Sequence, residues 1–197
     1  MARSRFLRFA IPALAAIVTA GLLGCGGGSD TPASGPTALG SLSAAQSALA
    51  TMAPDAKLLV VQTASSVTPT GTPVWAYLFG DPETDKTYIV YVSDAQSMGA
   101  QEYGTAGLSE SDWADVPDSY DWKIDSDEAY ASALEVSGAE GDPLAYMMGI
   151  MTFKSSEDTS TVKPLVWNVW FNPGESGATE NAIEVDANSG KASVLEE

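Results

Sequence analysis

The residue types available bound the chemistry this chain can do: 26 acids, nine bases, one cysteine and no histidine. Without histidine there is no Ser-His-Asp triad and no imidazole metal ligand. A lone cysteine makes neither an intramolecular disulfide nor a thiolate zinc site. A carboxylate pair or a Ser-Lys dyad remains for catalysis, and neither has a local signature, so the chain is expected to be no enzyme and to need no cofactor or metal. The segment 110–128 holds acids at 110, 112, 115, 118, 121, 125, 127 and 128, with Trp113, Tyr120 and Trp122 among them and Lys123 as the only base. It lacks the Asp-x-Asp-x-Asp-Gly spacing and distal Glu of a calcium loop, and reads as a solvated acidic connector. Its interleaved aromatics could still grip a basic partner, which makes Trp113, Tyr120, Asp112, Asp115 and Asp118 candidate contact residues. Asp186-Ala-Asn-Ser-Gly190 reads as a tight turn rather than a cation loop.

Cys25 has a different chemistry in prospect. Arg3, Arg5 and Arg8 precede an apolar run over 9–23 that is too short, and too broken by Pro12, for a membrane span of about 20 residues. Leu22-Leu23-Gly24-Cys25 follows and resembles the bacterial lipobox. The resemblance implies that residues 1–24 are a removed signal and that Cys25 carries a diacylglycerol thioether and a further acyl chain, a covalent lipid that holds firmly where one chain would exchange. Residues 25–40, rich in Gly, Ser and Pro, read as the lipidated, flexible tether. Gly26 in place of aspartate implies the outer membrane if the cell is Gram-negative; in a Gram-positive cell the outer face of the plasma membrane is implied.

All three arginines lie in that signal, leaving six lysines against 26 acids, a formal charge of −20. Phosphate neutralisation needs clustered bases, so nucleic-acid binding is excluded.

The elements that must position any site form a repeat. Val74-Trp75 and Phe79 match Val166-Trp167 and Phe171 at an offset of 92, as do Asp94-Ala95 and Ser97 with Asp186-Ala187 and Ser189; eight identities fall in 24 ungapped positions. Upstream, Ala44, Ser47, Ala48 and Leu49 belong to a helix matched at an offset of 85 by Ala129, Ser132, Ala133 and Leu134. Ser43 and Gln46 have capping-box spacing, with Ala45, Leu49 and Met52 on one face. In the second copy Asp125 to Glu128 suit a helix N-terminus, Ala129, Ala133 and Val136 share a face, and Gly138 stops the helix. Strands are expected over 57–63, 73–79 and 86–92, then over 145–154, 163–171, 182–186 and 191–195. The fold class is therefore α+β, two tandem units (41–100 and 122–197, joined by the connector 101–121), each a helix packed on one face of an antiparallel meander.

Trp75 and Trp167, with Phe79 and Phe171 four residues on, read as the core face under the helix. Alternation puts Trp170 on the opposite face, where it is either an exposed binding anchor or covered by a further layer.

The second unit resembles the PepSY family of small secreted bacterial domains, through Trp122-Lys-Ile-Asp125-Ser-Asp-Glu-Ala129, Pro164-Leu-Val-Trp167-Asn-Val169 and Ile183-Glu-Val185-Asp186-Ala187-Asn-Ser-Gly190-Lys191. The first unit departs from that pattern: Met98-Gly99 stand where a turn glycine is expected two residues earlier. The resemblance implies a helix on an antiparallel sheet and a role in binding or inhibiting envelope proteins, proteases included. By element order alone the tandem is also similar to the β-lactamase inhibitory proteins. The expected function is that of a membrane-tethered, non-enzymatic binding module for an envelope protein. The alternatives are an accessory lipoprotein of an envelope complex and, last, a carboxylate-based hydrolase.

Overall fold

The computed structural model describes residues 36–68, 70–118, 122–138, 144–152, 165–172 and 182–194. The expected signal, Cys25 and most of the tether lie outside these. The elements in order are α1 (Ala38–Leu49), β1 (Lys57–Thr63), β2 (Trp75–Gly80), β3 (Lys86–Ser93), β4 (Gln96–Thr105), α2 (Glu110–Asp115), α3 (Ser126–Val136), β5 (Tyr146–Met151), β6 (Val166–Phe171), β7 (Ala182–Asp186) and β8 (Ala192–Val194). The fold is α+β, as expected. Helices α1 and α3 each lead an antiparallel meander of four strands, and the meanders fuse through their first strands into one eight-stranded sheet, β4-β3-β2-β1-β5-β6-β7-β8. The antiparallel β1–β5 pair, with Val61 opposite Ile150, makes an approximate two-fold axis between the units.

Three details differ from expectation. Helix α1 begins earlier, because Thr37 caps it by accepting a hydrogen bond from the Gly40 amide at 3.0 Å. Ser43 and Gln46 are thus interior, the buried face is Ala38, Ser41, Ala45 and Leu49, and Met52 lies outside the helix and exposed. The buried positions of α3 (Ser126, Ala129, Ala133) then match those of α1 at an offset of 88, not 85. Alanine-rich helices look alike after a slip of about one turn, which is what misled the alignment. Second, the first unit has a fourth strand, β4, running on to Thr105 past the boundary drawn at 100. Asp94 and Ala95 both take positive φ (49° and 57°) in a two-residue hairpin turn, doing what a glycine pair usually does. Third, Val136 is exposed, and Tyr130 joins the buried face of α3 instead. Asp125 does cap α3, in a reciprocal capping box with Glu128.

One apolar core fills the space between both helices and one sheet face, drawing Trp75, Tyr77 and Phe79 from β2, Trp167 and Val169 from β6, and Ile183 and Val185 from β7. Trp75 and Trp167 are its largest fully buried side chains and meet edge to face with centroids 6.5 Å apart; Trp122 packs on Trp167 at 5.4 Å. A buried indole N–H needs an acceptor. Trp75 Nε1 donates to the Pro36 carbonyl and Trp167 Nε1 to the Ile124 carbonyl, each at 2.9 Å. Each acceptor sits one residue before a helix cap, so the two contacts are the same contact in both units. The helix N-termini also meet at the axis: the Ala38 amide donates to Ser126 Oγ, and Asp125 Oδ1 accepts from both Leu39 N (3.1 Å) and Ser126 N (2.6 Å). One carboxylate thereby serves the positive ends of two helices.

At the seam, Gly149 faces Gln62. A Cβ there would lie 2.9 Å from Gln62 Cβ and 3.0 Å from the Val61 carbonyl oxygen, so only glycine lets β5 approach β1.

We predict that Trp75→Ala and Trp167→Ala each lower stability by about 3–5 kcal/mol in urea melts, as large core truncations do; a parental melt for either would contradict its place in the core. A pH prediction follows from two tyrosines. Burial raises the pKa of Tyr77, and burial, then Tyr130 and Asp127, push Tyr146 up to about 12. Stability contributed by these neutral phenols is complete below the unfolded value of about 10 and declines as pH rises toward the folded values. Tyrosinate absorbance should show late-titrating groups, of which Tyr77→Phe and Tyr146→Phe each remove one; an unchanged titration in those variants would contradict the burial.

Candidate functional site

Strand alternation sends half the sheet's side chains to the face away from α1 and α3. The ladders align one row across it: Tyr91, Ala76, Gln62, Gly149, Asn168, Glu184 and Ser193, from β3 to β8. On one side of the row runs Ile89, Leu78, Val60 and Met151; on the other, Met147, Trp170 and Ala182.

The two units differ on this face and agree on the other. Toward the helices, Trp75, Phe79 and Val92 have Trp167, Phe171 and Val185 as their equivalents by ladder position. On the open face Ala76, Leu78 and Tyr91 correspond to Asn168, Trp170 and Glu184. In the first unit this face is closed: Ala76, Leu78 and Ile89 form a second small cluster, 1–3% exposed, under Val60, Ala64, Tyr91 and Tyr103. In the second unit Asn168, Trp170 and Glu184 are only half-buried, and Met151 is 36% exposed. A closed apolar cluster holds a fold, whereas half-buried polar and aromatic groups on a sheet face are candidates for a site.

The contact residues expected from sequence are not brought together. Trp170 is on the open face, with its Nε1 shielded from water and unpartnered, as is Asn168 Oδ1 two residues before it. Trp113 belongs to α2, whose ring lies against the opposite end of that face: a Cβ on Gly80 would sit 2.5 Å from Trp113 Cη2 and 2.8 Å from Leu59 Cδ1. Trp113 thus packs a ring edge against the first unit while staying half-buried, as Trp170 does. The reading of Asp112 as a contact residue is corrected. It is 6% exposed and closes the capping box of α2, accepting from the Ser109 amide at 3.0 Å and hydroxyl at 2.7 Å. Asp118 is exposed and pairs with Lys57 at 2.7 Å, and Lys57 also donates to the Val116 carbonyl, so this pair ties the connector to β1. Asp115 is exposed, and Tyr120 lies outside the described residues. The connector thus contains a short capped helix docked on the sheet. Sequence alternation places Asn168 on the face of Trp170; sequence reasoning missed Glu184 and Met147, which only the register of the neighbouring strands brings beside them.

Asp186 folds the turn expected of it, its Oδ1 accepting from Asn188 N, Ser189 N and Ser189 Oγ. The Ser189 amide first, with the Ser189 hydroxyl and the Asn188 amide, holds its pKa below the usual carboxylate range. The shallow depression of about 380 Å³ beside the end of α1, lined by Leu49, Ala53, Pro54 and Phe79, presents no titratable group. Among the described residues no three acids converge as a metal site, and no helix is long and apolar enough to cross a membrane.

No family model matches the chain, and no curated protein matches it. Among solved structures it is similar to a candidate lipoprotein from Clostridium difficile 630, at 12% identity and a TM-score of 0.46, over 73% of this chain and 82% of that one. The PepSY-like reading accordingly rests on the residues that carry it.

Asp112→Ala is predicted to destabilise by about 1–2 kcal/mol, the cost of a lost cap, with the loss visible as faster amide exchange at Ser109 and Asp112. Unchanged exchange and stability would return Asp112 to the surface.

Proposed function

We propose that this chain is a lipid-anchored envelope lipoprotein and that the open sheet face of its second unit binds another envelope protein without catalysing a reaction. The lipobox at Cys25 and the tether behind it support the anchoring. One observation supports the site: the units are alike where they face the helices and unlike where they face outward, with Asn168, Trp170 and Glu184 at the ladder positions of Ala76, Leu78 and Tyr91, and with Ala76 and Leu78 buried in the first unit's outer cluster. A repeat that keeps its core and changes one outer face has put its specificity on that face. Half-buried tryptophan suits the centre of such an interface, because its large rigid surface is desolvated at little entropic cost. The chain's formal charge of −17 with its signal, and −20 without it, favours a basic partner and fast association. Inhibition of the partner is one outcome such binding would have.

Two experiments test this. Cys25→Ala should abolish fatty-acid labelling and leave precursor or released protein; labelling that persists would remove the anchor. Trp170→Ala should destabilise less than Trp167→Ala, because its residue is only half-buried, yet weaken the captured partner by about 2 kcal/mol or more. Full partner affinity in a folded Trp170→Ala variant would overturn the assignment of the face.

A further inference from the structure

We infer that α1 is a strap that closes last: the second unit folds around α3 first and then supplies the contacts that start α1. A helix leaves its first amides without partners, and a helix of about 12 residues is marginal until something outside it takes them. In α1 the Gly40 amide goes to its own cap, Thr37, but the two amides ahead of it go across the axis. Ala38 N donates to Ser126 Oγ at 3.0 Å in a buried contact, and Leu39 N to Asp125 Oδ1 at 3.1 Å. The first unit's own Trp75 and Tyr77 reach this start only as donors, to the Pro36 and Ala38 carbonyls. The dependence runs one way. Asp125 and Glu128 close the capping box of α3 from within its own unit, and Asp127 and Glu128 suit the dipole of its first turn, whereas α1 has no charged residue at all.

Packing has the same asymmetry. Helix α3 lies on β6, β7 and β8, strands of its own unit, and α1 on β2, β3 and β4. At the offset of 88 that relates the helices, Tyr130 of α3 stands where α1 has Leu42. Tyr130 meets Tyr146 and Phe171 with ring centroids 4.5 and 5.7 Å apart, and its hydroxyl both accepts from the Leu144 amide and donates to the Leu144 carbonyl. Leu42 is only partly buried, and Phe79, the equivalent of Phe171, lines the depression of about 380 Å³ beside the end of α1. Ser41 stands where α3 has Ala129, so at that position α1 buries a hydroxyl and α3 a methyl group. A segment with a borrowed start and a looser seat opens first and closes last. On the lipid-anchored reading above, the consequence is a delay built into the fold: residues 36–49, next to the tether, stay undocked until Asp125 and Ser126 have followed them across the membrane.

Pulse-labelling hydrogen exchange tests the order in the full lipidated chain as it refolds on dilution from urea in detergent micelles. Amides of α3, Tyr130 to Leu134, should become protected in an earlier phase than those of α1, Leu42 to Leu49. Protection of α1 together with α3, or before it, would overturn the inference. A matched pair of variants tests the dependence at equilibrium. Ala45 and Ala133 are equivalent by the same offset and both 0% exposed, so a carboxylate introduced at either expels its helix from the sheet. Ala45→Asp should strip exchange protection from α1 and leave it on α3. Ala133→Asp should strip it from both. Loss of α3 along with α1 in Ala45→Asp would overturn the inference, and so would an α1 still protected in Ala133→Asp.

Discussion

A buried indole N–H has to find an acceptor, and in this protein it finds the carbonyl that immediately precedes a helix cap. Trp75 with Pro36 and Trp167 with Ile124 make that contact twice, each from a fully buried ring to a part-buried carbonyl. The contact fixes where each helix begins over its sheet, because moving the helix start by one residue would leave the donor unpaired at a cost of about 1–3 kcal/mol. With both helix starts fixed, their N-termini converge on the axis, where Asp125 caps its own helix and accepts from the first turn of the other. The seam at Gly149 completes the joint from the sheet side. The two units therefore share one core and are not beads on a string.

That arrangement uses the helix side of the sheet entirely for cohesion and leaves the other side free to differ. The first unit spends its outer face on a closed apolar cluster with Trp113 laid over Gly80 at its margin, so the connector is part of the packing. The second unit has no described equivalent of that cluster. Its outward positions carry an amide, an indole and a carboxylate where the first unit carries Ala76, Leu78 and Tyr91. The repeat thus builds one eight-stranded sheet whose two units differ on its outward side.

How much of this is legible in the sequence depends on the length scale of each signal. Period-two alternation around Trp75 and Trp167 is local and strong, so the strands and the core face of both tryptophans read correctly. Asp125 and Glu128 announced their helix, because a capping box is a four-residue pattern. The start of α1 did not read correctly, since Ala and Ser recur throughout 38–50 and only the docking of Pro36 on Trp75 selects Thr37 as the cap. Strand β4 was missed because its turn places Asp94 and Ala95, not glycine, at positive φ. Asp112 and Trp113 looked like solvated connector residues, and only the folded structure makes one a cap and packs the other's ring edge on the first unit. For the site, Trp170 was found by spacing, but its neighbours Glu184 and Met147 come from other strands, and cross-strand register is not written in any single segment.

The central claim, that the second unit's outer face and not the first's meets the partner, is tested most directly by photo-crosslinking in intact cells. A photoreactive amino acid placed at Met147 would probe the second unit's open face, and one at Met98, 55% exposed on β4, would probe the far edge of the first unit. The account predicts a discrete adduct from position 147 and none from 98. An adduct from 98 with none from 147 would contradict it.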